Sequence, residues 1–284
     1  MTSMTTLGET RHQAIQKLSV SSPTPALDVD LLISTALQVD RAWILAHPEA
    51  EIPPEAQAQL TDWIARAVQG EPIAYLIGVR GFYDLEFIVT PDVLIPRPET
   101  ELLLEDALIW LRGRPDMIVA DIGTGSGALA VSLAKHTSAT VYAVDISPQA
   151  LAIASQNAHH HGVAHQLHFL EGSLYSPLMR ENIHPQVVVA NLPYIPAEEV
   201  PTLAVSRYEP SLALDGGSDG LRLVELLLSQ IDLHGPSYPQ LILLEIGAGQ
   251  GEATIAIARQ YFPNAAVTCQ PDYAGHDRRV SIVL

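Results

Sequence analysis

The chain has 284 residues, 48% of them hydrophobic, and carries 32 acidic against 15 basic side chains, a formal net charge of -17. Such a surface repels phosphate backbones at long range, and neither Arg112 with Arg114 nor Arg278 with Arg279 forms a basic stripe with interleaved aromatics, so a direct nucleic-acid substrate is disfavoured. The single cysteine, Cys269, excludes an intrachain disulfide, and no apolar run approaches membrane-spanning length, so a soluble, cytoplasmic protein without membrane attachment is expected. Residues 1–9 lack a basic segment followed by an apolar core and read as an unprocessed start.

Between residues 7 and 70 apolar side chains recur at helical spacing: Leu27, Leu31, Leu32 and Leu37, then Ile44 and Leu45, then Leu60, Ile64 and Val68. Pro23, Pro25, Pro48, Pro53 and Pro54 cut this pattern into short helices, which predicts a small helical bundle with Trp43 and Trp63 as core fillers. Next, Phe82-Tyr83-Asp84-Leu85-Glu86-Phe87-Ile88-Val89 reads as a hairpin leading to Val93-Leu94-Ile95. After Pro96-Arg97-Pro98-Glu99-Thr100 an apolar-periodic helix runs to about Leu111.

From Met117 onward strands and helices alternate. Strands are expected near Val119, Val141, Leu167, Val188, Leu243, Val267 and Ile282, those from Val119 to Val188 being joined by helical stretches such as residues 148–161. This predicts an α/β fold with a parallel, doubly wound sheet. Only residues 271–279 separate the last two strands, so they should form a hairpin, giving the sheet the antiparallel edge of the methyltransferase variant. Cys269, in the first of the two, reads as a small buried hydrophobe.

The run Ala120-Asp121-Ile122-Gly123-Thr124-Gly125-Ser126-Gly127 spells strand, glycine loop and helix start. Glycines let a ligand approach the backbone, and the first helical turn offers unpaired N–H groups to a carboxylate or phosphate. The next strand ends in Asp145, where an acidic side chain accepts bonds from both hydroxyls of a ribose. A nucleoside-containing cofactor is implied, but Gly123, Gly125 and Ala128 also fit G-x-G-x-x-A, so the loop alone does not separate NAD from S-adenosylmethionine. Asn191-Leu192-Pro193-Tyr194 does. It follows Val187-Val188-Val189-Ala190 at a strand's carboxyl end and offers a side-chain carbonyl, a backbone carbonyl and an aromatic wall. Two carbonyls can hold both hydrogens of a planar NH2 group and leave one face of the nitrogen open to a methyl donor. As bare spelling, the tetrapeptide is equally an edge-of-strand turn.

The segments Gly70-Glu71-Pro72-Ile73-Ala74-Tyr75-Leu76-Ile77-Gly78, Phe82-Tyr83 and Leu94-Ile95-Pro96-Arg97-Pro98-Glu99-Thr100-Glu101-Leu102 resemble the bacterial protein-glutamine methyltransferases of the HemK/PrmC type. Residues 121–127, Tyr208-Glu209-Pro210, Leu212-Ala213-Leu214-Asp215-Gly216-Gly217, Gly251-Glu252-Ala253 and Asp272-Tyr273-Ala274-Gly275 continue the likeness over nearly the whole chain. It implies three parts: a helical release-factor-binding domain at 1–78, a hairpin linker at 79–97 and a Rossmann-like, S-adenosylmethionine-dependent methyltransferase domain at 98–284. It also implies methyl transfer from S-adenosylmethionine to the glutamine of the Gly-Gly-Gln motif in peptide chain release factors, by a monomer. Gly123, Thr124, Gly125, Ser126 and Gly127 would wrap the methionine part of the cofactor, Asp145 would hold the ribose, and Ser173, Leu174 and Asn191 would complete the cofactor site. Asn191 would take the glutamine amide by its side-chain oxygen and Leu192 by its backbone carbonyl, with Pro193 stiffening the turn and Tyr194 packing on the amide plane; Asn191 and Tyr194 are the catalytic candidates.

Two departures from the family pattern stand out. Leu192 replaces a usual proline, a change that gives up one fixed φ and matches the Asn-Leu-Pro-Tyr spelling of RNA adenine methyltransferases. Ser173-Leu174 stands where an acidic residue and a large apolar one are usual, so a neutral hydroxyl would meet the adenine amino group. An adenine or cytosine amino-methyltransferase of nucleic acid is therefore the alternative, and a binding module without turnover a third reading. Leu244-Glu245-Ile246-Gly247-Ala248-Gly249-Gln250-Gly251 looks like a second cofactor loop but matches the family's late turn. His159, His160 and His161 fan around a helix end, and with His165 and His168 they are read as no metal site. Arg97 and Glu99 fit either a substrate channel or a pin between the linker and the catalytic domain, and Tyr208-Glu209-Pro210 either substrate contact or loop packing.

Overall fold

Caps and prolines set the first helices of the chain, whose computed structural model describes residues 6–235, 237 and 239–284. The reading of residues 1–9 as an unprocessed start thus lies partly outside the described residues. Thr6 and Glu9 form a reciprocal capping box for α1 (Leu7–Leu18), Pro25 opens α2 (Pro25–Leu37), the Asp40 carboxylate caps α3 (Arg41–Ala46), and Pro54 opens α4 (Pro54–Val68). α5 (Ile73–Ile77) ends at Gly78 in the left-handed conformation. After Val79 the chain divides into two compact units.

The first unit closes around Leu7, Leu32, Ile33, Ile44, Leu60 and Trp63. Buried Asp30 accepts from Arg11 at 2.6 Å and Arg41 at 2.8 Å, pairing the charge its burial would otherwise strand. Trp43 is not the core filler its spacing suggests: α3 has six residues and buries Ile44, leaving Trp43 36% exposed and stacked on His47. Leu27, Leu31, Leu45 and Val68 are exposed too, because each short helix buries only one stripe of its apolar positions.

The second unit begins one residue into a hairpin, β1 (Val79–Phe82) and β2 (Leu85–Ile88), whose Phe82 and Phe87 enter the main core. α6 (Thr100–Leu111) leads into the alternating part: β3 (Ile118–Ile122), α7 (Ala128–His136), β4 (Thr140–Asp145), α8 (Pro148–His160), β5 (Leu167–Glu171), α9 (Ser176–Glu181), β6 (Val187–Asn191), α10 (Arg222–Leu233), β7 (Leu241–Glu245), α11 (Gly251–Tyr261), β8 (Ala266–Pro271) and β9 (Asp277–Val283). The seven-stranded sheet has the order β5-β4-β3-β6-β7-β9-β8. β3 to β7 are parallel, while β9 runs antiparallel to both β7 and β8.

Continuous apolar strands such as Val187-Val188-Val189-Ala190, buried on both faces, follow from the helices covering the sheet. Chain order reverses at β3, between β4 and β6, so the carboxyl ends of these three strands open a crevice where loops diverge. Cys269 is only half-buried, since β8 is an edge strand covered on one face. No helix among the described residues is long and apolar enough to cross a membrane.

Candidate active site

The crevice holds a cavity of about 370 Å³. Gly123, Thr124, Gly125 and Ser126 line it from the end of β3, Asp145 from β4, Ser173 and Leu174 from the turn after β5, and Asn191, Leu192 and Pro193 from the end of β6. Residues separated by up to seventy positions in the chain thus converge because parallel strands deliver their carboxyl ends to one side.

The glycine loop is tied down at three points. Gly125 N–H donates to Asp145 Oδ2 at 2.9 Å, and Ser147 N–H donates to Asp145 Oδ1 at 2.9 Å. Ile146 N–H also bears on this carboxylate, whose two oxygens still keep a lone pair for a hydroxyl. Behind the loop, Asp121 Oδ2 accepts from Thr124 Oγ1 at 2.7 Å and from Ala130 N–H at 3.1 Å; complete burial, with the Asp145 charge nearby, pushes its carboxyl up to about 7. Asn157, fully buried on α8, donates to Ser126 O and Ile88 O and accepts from Ile88 N–H, joining loop and hairpin.

Gly127 does not line the cavity. It caps α7 at φ 80°, and a Cβ there would stand 3.0 Å from that of Ala154, so its contribution is close helix packing. The Leu192 side chain, 4% exposed, fills the space beside Gly123, where an added Cβ would meet its Cδ2 at 3.1 Å. Packing therefore anchors the position where the proline ring is missing. Among the described residues no hydrogen bond reaches the Leu192 carbonyl.

Tyr194 also stands outside this cavity wall. Its ring rests beside Gly247 and its hydroxyl lies 3.5 Å from Glu245 Oε1; burial and then the Glu245 charge push the phenol up to about 12. Glu245, 2% exposed at the end of β7, is the register partner of Asn191 and accepts from Thr100 Oγ1 at 2.7 Å. Thr100 Oγ1 in turn accepts from Asn191 Nδ2 at 2.9 Å. Sequence reasoning singled out neither Thr100 nor Glu245 as site residues; the register of Glu245 opposite Asn191 is the signal that finds it.

The Leu212–Gly217 block is docked just after the tetrapeptide: Ile195 N–H donates to Leu214 O, and Gly216 N–H donates to Ile195 O. Arg97 pairs with the Glu209 carboxylate, which burial raises above the ordinary range against the pull of Arg97. That bond fastens the segment before α6 to the loop after β6. The histidines ending α8 are separately engaged, His159 Nδ1 with Ser155 O and His161 Nε2 with Glu86 O, and no metal-binding group forms among the described residues.

A parallel sheet with an antiparallel outer hairpin, a glycine loop after its first parallel strand, and an acid ending the next defines the S-adenosylmethionine-dependent methyltransferase class. The same fold is found in the catalytic domain of hMettl16, solved with MAT2A 3'UTR hairpin 6, at a TM-score of 0.55 and 12% identity over 81% of each chain. An S-adenosylmethionine-dependent methyltransferase from Agrobacterium tumefaciens matches at 0.50 and 13%, over 72% of this chain and 69% of that one. The family model of the PrmC N-terminal domain matches residues 9–78, and that of ribosomal protein L11 methyltransferase (PrmA) matches residues 102–206. Release factor glutamine methyltransferases from Moorella thermoacetica and Coxiella burnetii are 40% and 37% identical, over 96% of both chains for the first and over 97% of this chain and 98% of the relative for the second. The chain belongs to the release factor glutamine methyltransferase family.

Proposed function

We propose that this protein transfers a methyl group from S-adenosylmethionine to the side-chain amide nitrogen of the glutamine in the Gly-Gly-Gln motif of peptide chain release factors. The observation that carries the reading is the pair of carbonyls at the end of β6: Asn191 Oδ1, freed by the bond its Nδ2 makes to Thr100, and the Leu192 carbonyl, to which no described residue donates. Both belong to residues on the wall of the cavity that the glycine loop and Asp145 share. We place this activity in the cytoplasm, with the helical unit engaging the release factor.

The cavity fits the cofactor in size and chemistry. About 370 Å³ is within the usual range for a small-molecule site. Asp145 accepts hydroxyls, the first turn of α7 presents N–H groups lacking intrahelical partners to a carboxylate, and Ile146, Leu212 and Leu226 supply exposed apolar side chains for a planar base. When bound, S-adenosylmethionine supplies an electrophilic sulfonium methyl. The residues at the β6 end hold the acceptor: two carbonyls take its two N–H bonds and orient the nitrogen for in-line attack. An amide lone pair is delocalised, so contacts that favour a partly pyramidal nitrogen stabilise the transition state more than the ground state. With the cofactor bound, the N–C bond would form as the S–C bond breaks, the S–C electron pair staying on sulfur as a neutral thioether and one proton of the nitrogen passing to solvent.

The test is transfer of labelled methyl to purified release factor, with a Gln-to-Ala change in its Gly-Gly-Gln loop and bulk RNA and DNA as parallel acceptors. Label on the unmodified factor alone supports the assignment; label on nucleic acid alone replaces it with base methylation. Asp145→Ala should act differently from changes at the clamp. Loss of hydrogen bonds to a charged acceptor weakens binding roughly 10–100-fold, read by calorimetry as cofactor affinity, with turnover at saturating cofactor less affected.

A further inference from the structure

We infer that Glu245, acting through Thr100, fixes which end of the Asn191 side-chain amide faces the acceptor, and is a positioning residue for methyl transfer. The inference rests on the proposed clamp. An amide side chain has two ends of nearly equal shape and opposite hydrogen-bonding character, so a half-turn would place an NH2 donor where an oxygen acceptor is needed. Packing alone discriminates poorly between the two.

The chain of bonds discriminates well. An ionised carboxylate only accepts, so Glu245 Oε2, 2.7 Å from Thr100 Oγ1, takes the single hydroxyl proton. With its proton spent, Thr100 has only lone pairs to offer, and Asn191 must meet it with Nδ2, at 2.9 Å. Asn191 Oδ1 is thereby directed away from Thr100, in a residue that lines the cavity. Glu245 and Thr100 are 2% and 5% exposed, so water cannot easily substitute for either partner. A protonated Glu245 would remove the constraint: its own O–H could donate to Thr100, and Thr100 could then donate to a reversed Asn191.

Burial pushes the Glu245 carboxyl up to about 7. The groups facing it are Glu99 at the start of α6, which adds to the rise, Arg278 on β9, which opposes it, and the Tyr194 hydroxyl. Its register partner Arg279 is engaged with Asp106. The carboxylate form, which holds the clamp polarity, therefore gains over the acid as pH rises through neutrality.

The experiment compares the full chain with Glu245→Gln, Thr100→Val and Thr100→Ser on a release-factor acceptor, with cofactor affinity by calorimetry as the check on folding. Expected are a kcat that rises through about pH 7 in the parent, a fall of roughly 10-fold or more in Glu245→Gln and Thr100→Val, no pH step in Glu245→Gln, and recovery of most turnover in Thr100→Ser. Cofactor affinity should stay within about threefold of the parent in all, since none of these bonds reaches Asp145, the carboxylate that meets the ribose hydroxyls. Turnover within about twofold of the parent in Glu245→Gln or Thr100→Val, or an unchanged pH step in Glu245→Gln, overturns the inference. A second readout needs no acceptor: in protein labelled with 15N-asparagine, the Asn191 side-chain NH2 signals should shift between about pH 6 and pH 8, and Glu245→Gln should abolish that shift. A parent that methylates no glutamine yet shows this shift refutes the proposed substrate and keeps the positioning role; a parent active on glutamine whose Asn191 signals ignore pH refutes the positioning role alone.

Discussion

Asn191→Ala is expected to lower turnover on a glutamine acceptor by roughly 10²–10³-fold, the usual cost of removing one preorganised polar contact from a reacting group. The change deletes the Oδ1 acceptor and also leaves Thr100 Oγ1 without the Nδ2 donor it meets at 2.9 Å. Cofactor affinity should fall far less, because Asp145 and the Gly125 loop stay tied to each other through a bond of 2.9 Å that Asn191 does not share. Single-turnover kinetics at saturating cofactor separate the two effects. Near-normal turnover would refute the clamp, whereas equal losses in affinity and turnover would make Asn191 a part of the cofactor wall and nothing more. Asn191→Asp sharpens the comparison, since it keeps an acceptor oxygen but sets a carboxylate beside the buried Glu245 and should lose turnover with a different pH dependence.

The parts of this site written in consecutive residues are legible in the sequence itself. Residues 121–127 and 191–194 each carry strand, turn and chemistry in one stretch, and parallel strands then bring both stretches to one crevice. The alternation of elements after Met117 likewise suffices for the parallel sheet and its antiparallel hairpin. What stayed hidden is long-range. Thr100 and Glu245 meet across 145 positions, and Arg97 and Glu209 across 112, distances over which no local pattern reports contact. Glu245 was further masked by its setting, since an acid after an apolar strand and before glycines spells a cofactor loop whether or not a crevice lies above it. Only sheet order decides, and β7 lies two strands from β3 on the side away from β4. Trp43 misleads for the opposite reason: its apolar spacing is real, but a helix of six residues has too few turns to bury it.

Gly220→Ala should be among the most damaging single changes at the site. A Cβ at this position would lie 2.1 Å from Tyr194 O and 2.6 Å from Gln250 Nε2, and the backbone holds φ at 75°. Gln250 Nε2 itself donates to Tyr194 O at 3.0 Å and Gln250 Oε1 accepts from Gly247 N–H at 2.8 Å, so neither neighbour can withdraw without breaking a bond. Overpacking costs about 1–3 kcal/mol and a left-handed non-glycine residue about 1 kcal/mol or more, together roughly 2–4 kcal/mol. In a unit of this size that lowers the unfolding midpoint by roughly 5–15 °C. Gly275→Ala supplies the control, because φ there is 85° while nothing stands within 4 Å of an added Cβ. It should show the conformational cost alone and keep its turnover. Gly220→Ala should lose both stability and turnover, since the collision is relieved by displacing the Tyr194 backbone, and with it the turn that carries Asn191 and Leu192. Equal midpoints for the two variants would mean that the loop over Tyr194 yields freely and does not hold the clamp in place.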